Sequence, residues 1–172
     1  MRQEGTGLWL LNLPEFQHWL SAPKQVLICP GIPGAGKTVM SSIVIHFLNT
    51  TFRKDADVKV AFLFCSYQSQ HVQKSDDLLS NLLRQLAYRN SGKLCSHVED
   101  PYKERLAADW TALDHEKMTS ALSHTARSYK KIFIVVDGLD EHLPSNPEER
   151  RQLLSELFKL QNDLPVSFAL CF

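Results

Sequence analysis

The sequence carries no excess charge of either sign: 19 lysines and arginines are balanced by 19 aspartates and glutamates in 172 residues. That balance gives no support for a nucleic-acid or membrane-surface partner, because both favour a basic excess. No stretch approaches the ~20 apolar residues of a membrane-spanning helix, and the N-terminus lacks the apolar core of a secretory signal. The four cysteines, Cys29, Cys65, Cys95 and Cys171, never fall in the C-x-x-C spacing of a zinc or redox motif. Cys29 and Cys65 sit in apolar runs, where free cysteine acts as a small buried hydrophobe. A reduced, cytoplasmic setting is therefore expected. The seven histidines are scattered without metal-ligand spacing, and Cys95 and His97 lack further ligands and read as loop residues. Repeats and low-complexity tracts are missing. With 44% hydrophobic and 22% charged residues, the remainder has the profile of one globular domain.

Short apolar runs alternate with helical patterns along the chain. Pro14 suits the first turn of a short helix that places Phe16, Trp19 and Leu20 on one face. Val26-Leu27-Ile28-Cys29 reads as a strand buried on both faces, followed after a glycine-rich loop by a helix over Val39 to Asn49 with Met40, Ile43, Val44 and Phe47 inward. Val58 to Cys65 is a second strand. Ser75-Asp76-Asp77 opens a helix whose Leu78, Leu79, Leu82, Leu83 and Leu86 form a core-facing stripe. Residues 90 to 112 read as a loop with a short helix, before a helix from about Asp114 to Tyr129. Ile132 to Val136 is a third strand. Asn146-Pro147-Glu148-Glu149 has the cap, first-turn proline and acidic first turn of a helix to about Leu160. Val166 to Phe172 is a last strand-like run. Doubly apolar strands alternating with helices predict an α/β fold, a three-layer sandwich around a mostly parallel sheet.

The strand–loop–helix at Val26 to Asn49 contains Gly31-Ile32-Pro33-Gly34-Ala35-Gly36-Lys37-Thr38, a complete phosphate-binding P-loop. A triphosphate presents several anionic oxygens. Backbone N–H groups meet them together only where glycines let the chain turn inward, the part given to Gly31, Gly34 and Gly36. Lys37 is positioned to reach the β- and γ-phosphates, and the Thr38 hydroxyl to ligate Mg2+. Magnesium adds one or two carboxylates to phosphate oxygens and waters. Asp137, at the C-terminal end of an apolar strand, is the Walker B candidate metal ligand. Asp140 and Glu141 follow in the same turn as candidate catalytic residues, with Glu141 preferred for holding or deprotonating the attacking water. Tyr67, Gln68 and Gln70 follow the second strand at the same sheet edge and read as an ordinary loop.

With these residues in view, the chain resembles the NACHT nucleotide-binding domain of STAND-class P-loop ATPases, in the form found in fungal signalling and incompatibility receptors. The resemblance is carried by Gly5-Thr6-Gly7-x-Trp9-Leu10 with Phe16 and Trp19, by Gly31 to Thr38, and by Val135-Val136-Asp137-Gly138-Leu139-Asp140-Glu141. It implies residues 1–24 as an aromatic lead-in and 25–172 as a partial P-loop NTPase core. It also implies a sheet in which the C-terminal strand lies between the Walker A and Walker B strands. The family's last strand usually leads to an arginine that senses the γ-phosphate and to further modules. Here Ala169-Leu170-Cys171-Phe172 stands instead, so the expectation is a sandwich incomplete at the C-terminus, with the Walker A strand at an exposed edge.

The resemblance implies ATP (or ADP) with Mg2+ as ligands, adenine being favoured also because no guanine-reading N-K-x-D motif is present. It implies a signalling switch whose partners are the nucleotide and other signalling domains or copies of itself, with no nucleic acid and no membrane. Weak hydrolysis is expected without the sensor arginine. Two alternatives stay open: a small phosphotransferase using the same loop on a second substrate, and a catalytically silent interaction module from a truncated gene product. Thr6 and the Trp9 region are candidates for lying near the base.

Overall fold

Among the described residues four parallel strands form one sheet in the order β1-β4-β3-β2. They are β1 (Val26–Cys29), β2 (Val58–Phe64), β3 (Lys131–Asp137) and β4 (Val166–Cys171). The computed structural model describes residues 5–65, 75–88, 115–139 and 147–171, the side chains of 147–150 excepted. The helices are α1 (Leu8–Leu11), α2 (Pro14–Ser21), α3 (Lys37–Thr51), α4 (Ser75–Ala87), α5 (His115–Ala126) and α6 (Pro147–Asp163). The expected loop and short helix at residues 90 to 112 lie outside the described residues.

The sheet has two apolar faces because β3 is apolar from Ile132 to Val136 and β4 at every position but Ser167. Ile132, Ile134 and Val136 of β3 join the leucine stripe of α4, with Met118 and Leu122 of α5 and Leu153 and Leu157 of α6. Phe133 and Val135 point the other way, to Ile43, Val44 and Leu48 of α3 and to Phe16 and Trp19 of α2. The fold is thus the expected three-layer α/β sandwich, with β4 between β1, which leads into the glycine-rich loop, and β3, which ends in Asp137. The lead-in is part of the second face. Trp19 packs 5.0 Å from the Phe133 ring and donates its indole N–H to the Phe168 carbonyl at 2.7 Å. Gly7, at φ +82, lies so close to α3 that an added Cβ would sit 2.6 Å from Ile43 Cδ1.

Several element boundaries differ from expectation for local reasons. Helix α3 begins at Lys37, because the left-handed Gly36 at φ 84 forms its cap and the last motif residues supply its first turn. Helix α5 stops at Ala126, and Tyr129 instead fills the core with its hydroxyl on the Leu86 carbonyl at 2.7 Å. Helix α6 continues to Asp163. Strand β1 is not buried on both faces. Among the described residues it pairs only with β4, leaving Ile28 55% exposed. The opposite edge is closed by a side chain: Gln85 of α4 accepts from the Phe62 N–H at 2.9 Å and donates to the Phe62 carbonyl at 2.7 Å. A glutamine amide there makes the two bonds another strand would make.

Candidate functional site

The site forms where β1, β4 and β3 end and α3 begins, the edge at which open parallel sheets bind ligands. Strand β1 delivers the chain into the loop at Pro30. Gly34 and Gly36 have φ 82 and 84, left-handed values that cost a residue with a Cβ, and no atom lies within 4 Å of the Cβ either would carry. The backbone there is strained for any other residue, yet the space beside it is open. Gly31 is crowded instead, with an added Cβ 3.3 Å from the Ala35 Cβ and 3.4 Å from Lys37 Cγ. Ile32 is 78% exposed at the loop tip. The Lys37 side chain folds across the loop and donates to the Gly31 carbonyl at 2.7 Å. Thr38 is exposed in the first turn of α3, whose N-terminal N–H groups and dipole favour an anion.

Asp137 is the last residue of β3 and only 4% exposed. A buried carboxylate needs partners. Ser41, one turn into α3 from Lys37, places its Oγ 2.9 Å from Asp137 Oδ1 and 3.1 Å from the Lys37 carbonyl. This serine ties the metal-ligand candidate to the helix that carries the loop. It was not among the residues singled out from the sequence, although a polar residue four positions after Lys37, next to the inward Ile43 and Val44, was a signal for it.

The small residue after Asp137 also has a physical cause. Gly138 has φ 71, and a Cβ on it would lie 2.4 Å from the Cys65 carbonyl oxygen. Cys65 N–H in turn donates to the Asp137 carbonyl at 2.9 Å, and Gly138 N–H to the Cys171 carbonyl at 3.0 Å. The ends of β2, β3 and β4 therefore close on one another through this glycine.

Of the residues singled out, Gly31 to Thr38 and Asp137 share this sheet edge. Asp140 and Glu141 lie outside the described residues, as do Tyr67, Gln68, Gln70, Cys95 and His97. Trp9 is 64% exposed on α1. Among the described residues no group of three or more His, Cys, Asp or Glu side chains comes together to hold a metal. The donors present instead fit a magnesium ion carried in by phosphates, which uses one carboxylate, a hydroxyl and waters. Beside Asp137, Cys171 is pushed above the usual thiol range by its hydrogen bond with Cys29 and by burial, and the same bond holds Cys29 below that range.

Residues 5–171 match the family described as Nephrocystin 3, N-terminal, and the chain belongs to that family. No curated protein sequence matches it. Among solved structures it is similar to the ORC1 protein of Aeropyrum pernix in complex with DNA, with a TM-score of 0.65 and 19% identity over 99% of this chain and 39% of that one. The Aeropyrum pernix ORC2 protein in ADPNP-ADP complexes gives 0.56 and 16% over 99% and 41%. A Walker-type ATPase of Pyrococcus abyssi gives 0.53 and 12% over 91% and 42%. The chain thus spans about two fifths of the length of these structures. At such identities the likeness is one of fold, that of a P-loop ATPase. No helix among the described residues is long and apolar enough to cross a membrane.

Proposed function

We propose that this member of the Nephrocystin 3, N-terminal family is an ATP- and magnesium-binding module of a NACHT-like, STAND-type signalling switch. The observation that carries the reading is the contact between Ser41 and Asp137, which fixes a buried carboxylate beneath the first turn of α3 and beside the P-loop. A glycine loop alone accommodates many anions, whereas a loop, its lysine and a carboxylate on the adjoining strand together suit a metal-chelated triphosphate.

In this reading the loop N–H groups between Gly31 and Gly36, Pro33 having none, and the ammonium of Lys37 hold the phosphates, while Thr38 and Asp137 hold Mg2+. Magnesium supplies charge neutralisation at the phosphate oxygens. To bind, Lys37 exchanges its bond to the Gly31 carbonyl for phosphate, a swap that needs only side-chain rotation. Asp140 and Glu141 are assigned to orient and deprotonate water. Turnover is slow in this reading, as a switch that holds its nucleotide as a signal requires. The nucleotide then acts as a bound signal, with ATP and ADP favouring different arrangements against other signalling domains or copies in the cytoplasm. Residues 1–24 form the aromatic lead-in, and 25–172 the nucleotide-binding core.

Isothermal titration with ATP tests the reading. Heat of binding is expected with Mg2+, weaker affinity without it, and none for Lys37→Ala at the same concentrations. An unmutated chain that binds no nucleotide under these conditions refutes it, and phosphate release as fast as an ordinary ATPase refutes the switch assignment.

A further inference from the structure

Two thiols face each other at the root of the loop. Cys29 closes β1, Cys171 closes β4, and the two are direct partners in the parallel register. Strand alternation sends Leu27 with Cys29, Ala169 with Cys171, and Val135 with Asp137 to the face covered by α3. On its other side Cys171 partners Asp137. Asp137, Cys171 and Cys29 therefore form one row across β3, β4 and β1, directly beneath the phosphate loop. The Cys29 and Cys171 side chains are near neighbours on this face, and Cys171 also lies beside Ser41, the residue that holds Asp137. Both cysteines are free thiols, Cys171 buried and Cys29 half-buried.

Neighbouring strands lie roughly 4.8 Å apart, within the roughly 4.4–6.8 Å between Cα atoms that a disulfide spans. The Cβ atoms of a disulfide come closer, to roughly 3.5–4.5 Å. Closing the bond therefore draws one strand end toward the other by a fraction of an ångström. Strand β4 is paired on both sides, with β1 and β3, whereas β1 pairs among the described residues with β4 alone. The strand that yields is β1, whose next residues, Pro30 and Gly31, begin the phosphate loop.

From this arrangement we infer that Cys29 and Cys171 form a reversible disulfide that weakens nucleotide holding when the protein is oxidised. The bond itself is independent of the nucleotide-binding reading, and only its consequence rests on that reading. A small peroxide is the oxidant. The Cys29 sulfur, the more accessible of the two, attacks one peroxide oxygen and becomes a sulfenic acid as the O–O bond breaks and the other oxygen leaves as water. The Cys171 sulfur then displaces the sulfenic oxygen, which leaves as a second water carrying the proton lost from Cys171. Two thiols are oxidised to one disulfide while hydrogen peroxide is reduced to two waters, and a dithiol reductant restores the pair.

Native protein treated with hydrogen peroxide, then alkylated and digested, is expected to yield a peptide pair joining Cys29 to Cys171, lost on reduction. Titration of the same samples with ATP and Mg2+ is expected to show severalfold weaker binding after oxidation, reversed by dithiothreitol, with no response in Cys29→Ser or Cys171→Ser. Over-oxidation of Cys29 with Cys171 left free, or linkage of either to another cysteine, overturns the inference. A Cys29–Cys171 bond with unchanged affinity overturns its regulatory part. A bond that forms in a chain that binds nucleotide in neither redox state supports the disulfide and refutes the nucleotide-binding reading instead.

Discussion

Gly138→Ala is predicted to be among the most damaging single-methyl additions in the molecule, and Gly34→Ala provides its internal control. Both glycines sit at left-handed φ, 71 and 82. Each substitution therefore pays the same kind of backbone strain, roughly 1–2 kcal/mol. The loss of unfolded-chain entropy on going from glycine to alanine is also common to both and cancels in the comparison. What differs is space. The Cβ at Gly34 meets nothing within 4 Å, whereas that at Gly138 lies 2.4 Å from the Cys65 carbonyl oxygen. An ordinary C···O contact is about 3.3 Å or more, so the ends of β2 and β3 must part by nearly an ångström. They are tied by the Cys65 N–H to Asp137 carbonyl bond at 2.9 Å, and that bond lengthens or breaks. Overpacking of this kind adds about 1–3 kcal/mol.

The total for Gly138→Ala is then about 2–5 kcal/mol, a large share of the roughly 5–15 kcal/mol that holds a domain of ordinary stability together. Urea unfolding followed by circular dichroism measures it. With a slope near ~2 kcal/mol per molar, the Gly138→Ala midpoint is expected to fall by about 1–2.5 M, and that of Gly34→Ala by about half as much or less. Equal midpoints for the two variants refute the reasoning, because they leave no energy for the close approach of β2 and β3.

Trp19→Phe removes the buried indole donor to the Phe168 carbonyl while keeping an aromatic ring, and is expected to cost about 1–3 kcal/mol in urea unfolding. An unchanged midpoint shows that the lead-in is not fastened to β4. Gln85→Met keeps the side-chain stem but strips both bonds from Phe62; a loss of about 1–3 kcal/mol and concentration-dependent association in sedimentation are expected, and a monomer of full stability counts against the edge-closing role. Ser41→Ala leaves the Asp137 carboxylate without its hydroxyl and is expected to weaken ATP binding more with Mg2+ than without it; equal losses in the two titrations separate Ser41 from the metal. Lys37→Ala is expected to abolish ATP binding while lowering the unfolding free energy by only about 0.5–1.5 kcal/mol, the net worth of its bond to the Gly31 carbonyl.

The strands, their parallel arrangement and the phosphate loop were legible because each rests on local chemistry. Runs such as Ile132 to Val136 have no polar face to offer solvent, and Gly34 and Gly36 stand at turns where other residues are strained. The layer formed by Phe16 and Trp19 was legible as an apolar face in need of a partner. That the partner is Phe133 on β3, more than a hundred residues later, depends on the packing of the whole sheet. Three features of the site were not legible for the same reason. Ser41 gains its role only when β3 brings Asp137 under α3. Gly138 stood only as part of the motif that carries the resemblance, and its need to be glycine shows when the Cys65 carbonyl is placed against it. Cys29 and Cys171, 142 residues apart in sequence, become a pair only through the register of β1 with β4.

The two edges of the sheet are treated differently, and the difference falls on the side that carries the candidate site. At β2 the backbone of Phe62 is satisfied by Gln85 from α4, so that edge is fixed by the core. At β1 the described residues supply one neighbour, β4, and half of the strand's side chains face outward. Local opening is least costly where backbone pairing and burial are least. The phosphate loop therefore hangs from the most yielding strand of the sheet, while Asp137 stands on a strand buried along nearly its whole length. A ligand that touches both the loop and Asp137 joins the yielding part to the fixed part, and gains affinity only in the arrangement where both are in reach. On the proposed function, nucleotide binding and the position of β1 are linked quantities: a movement of β1 relative to β4 that alters nucleotide affinity is resisted by bound nucleotide by the same free energy.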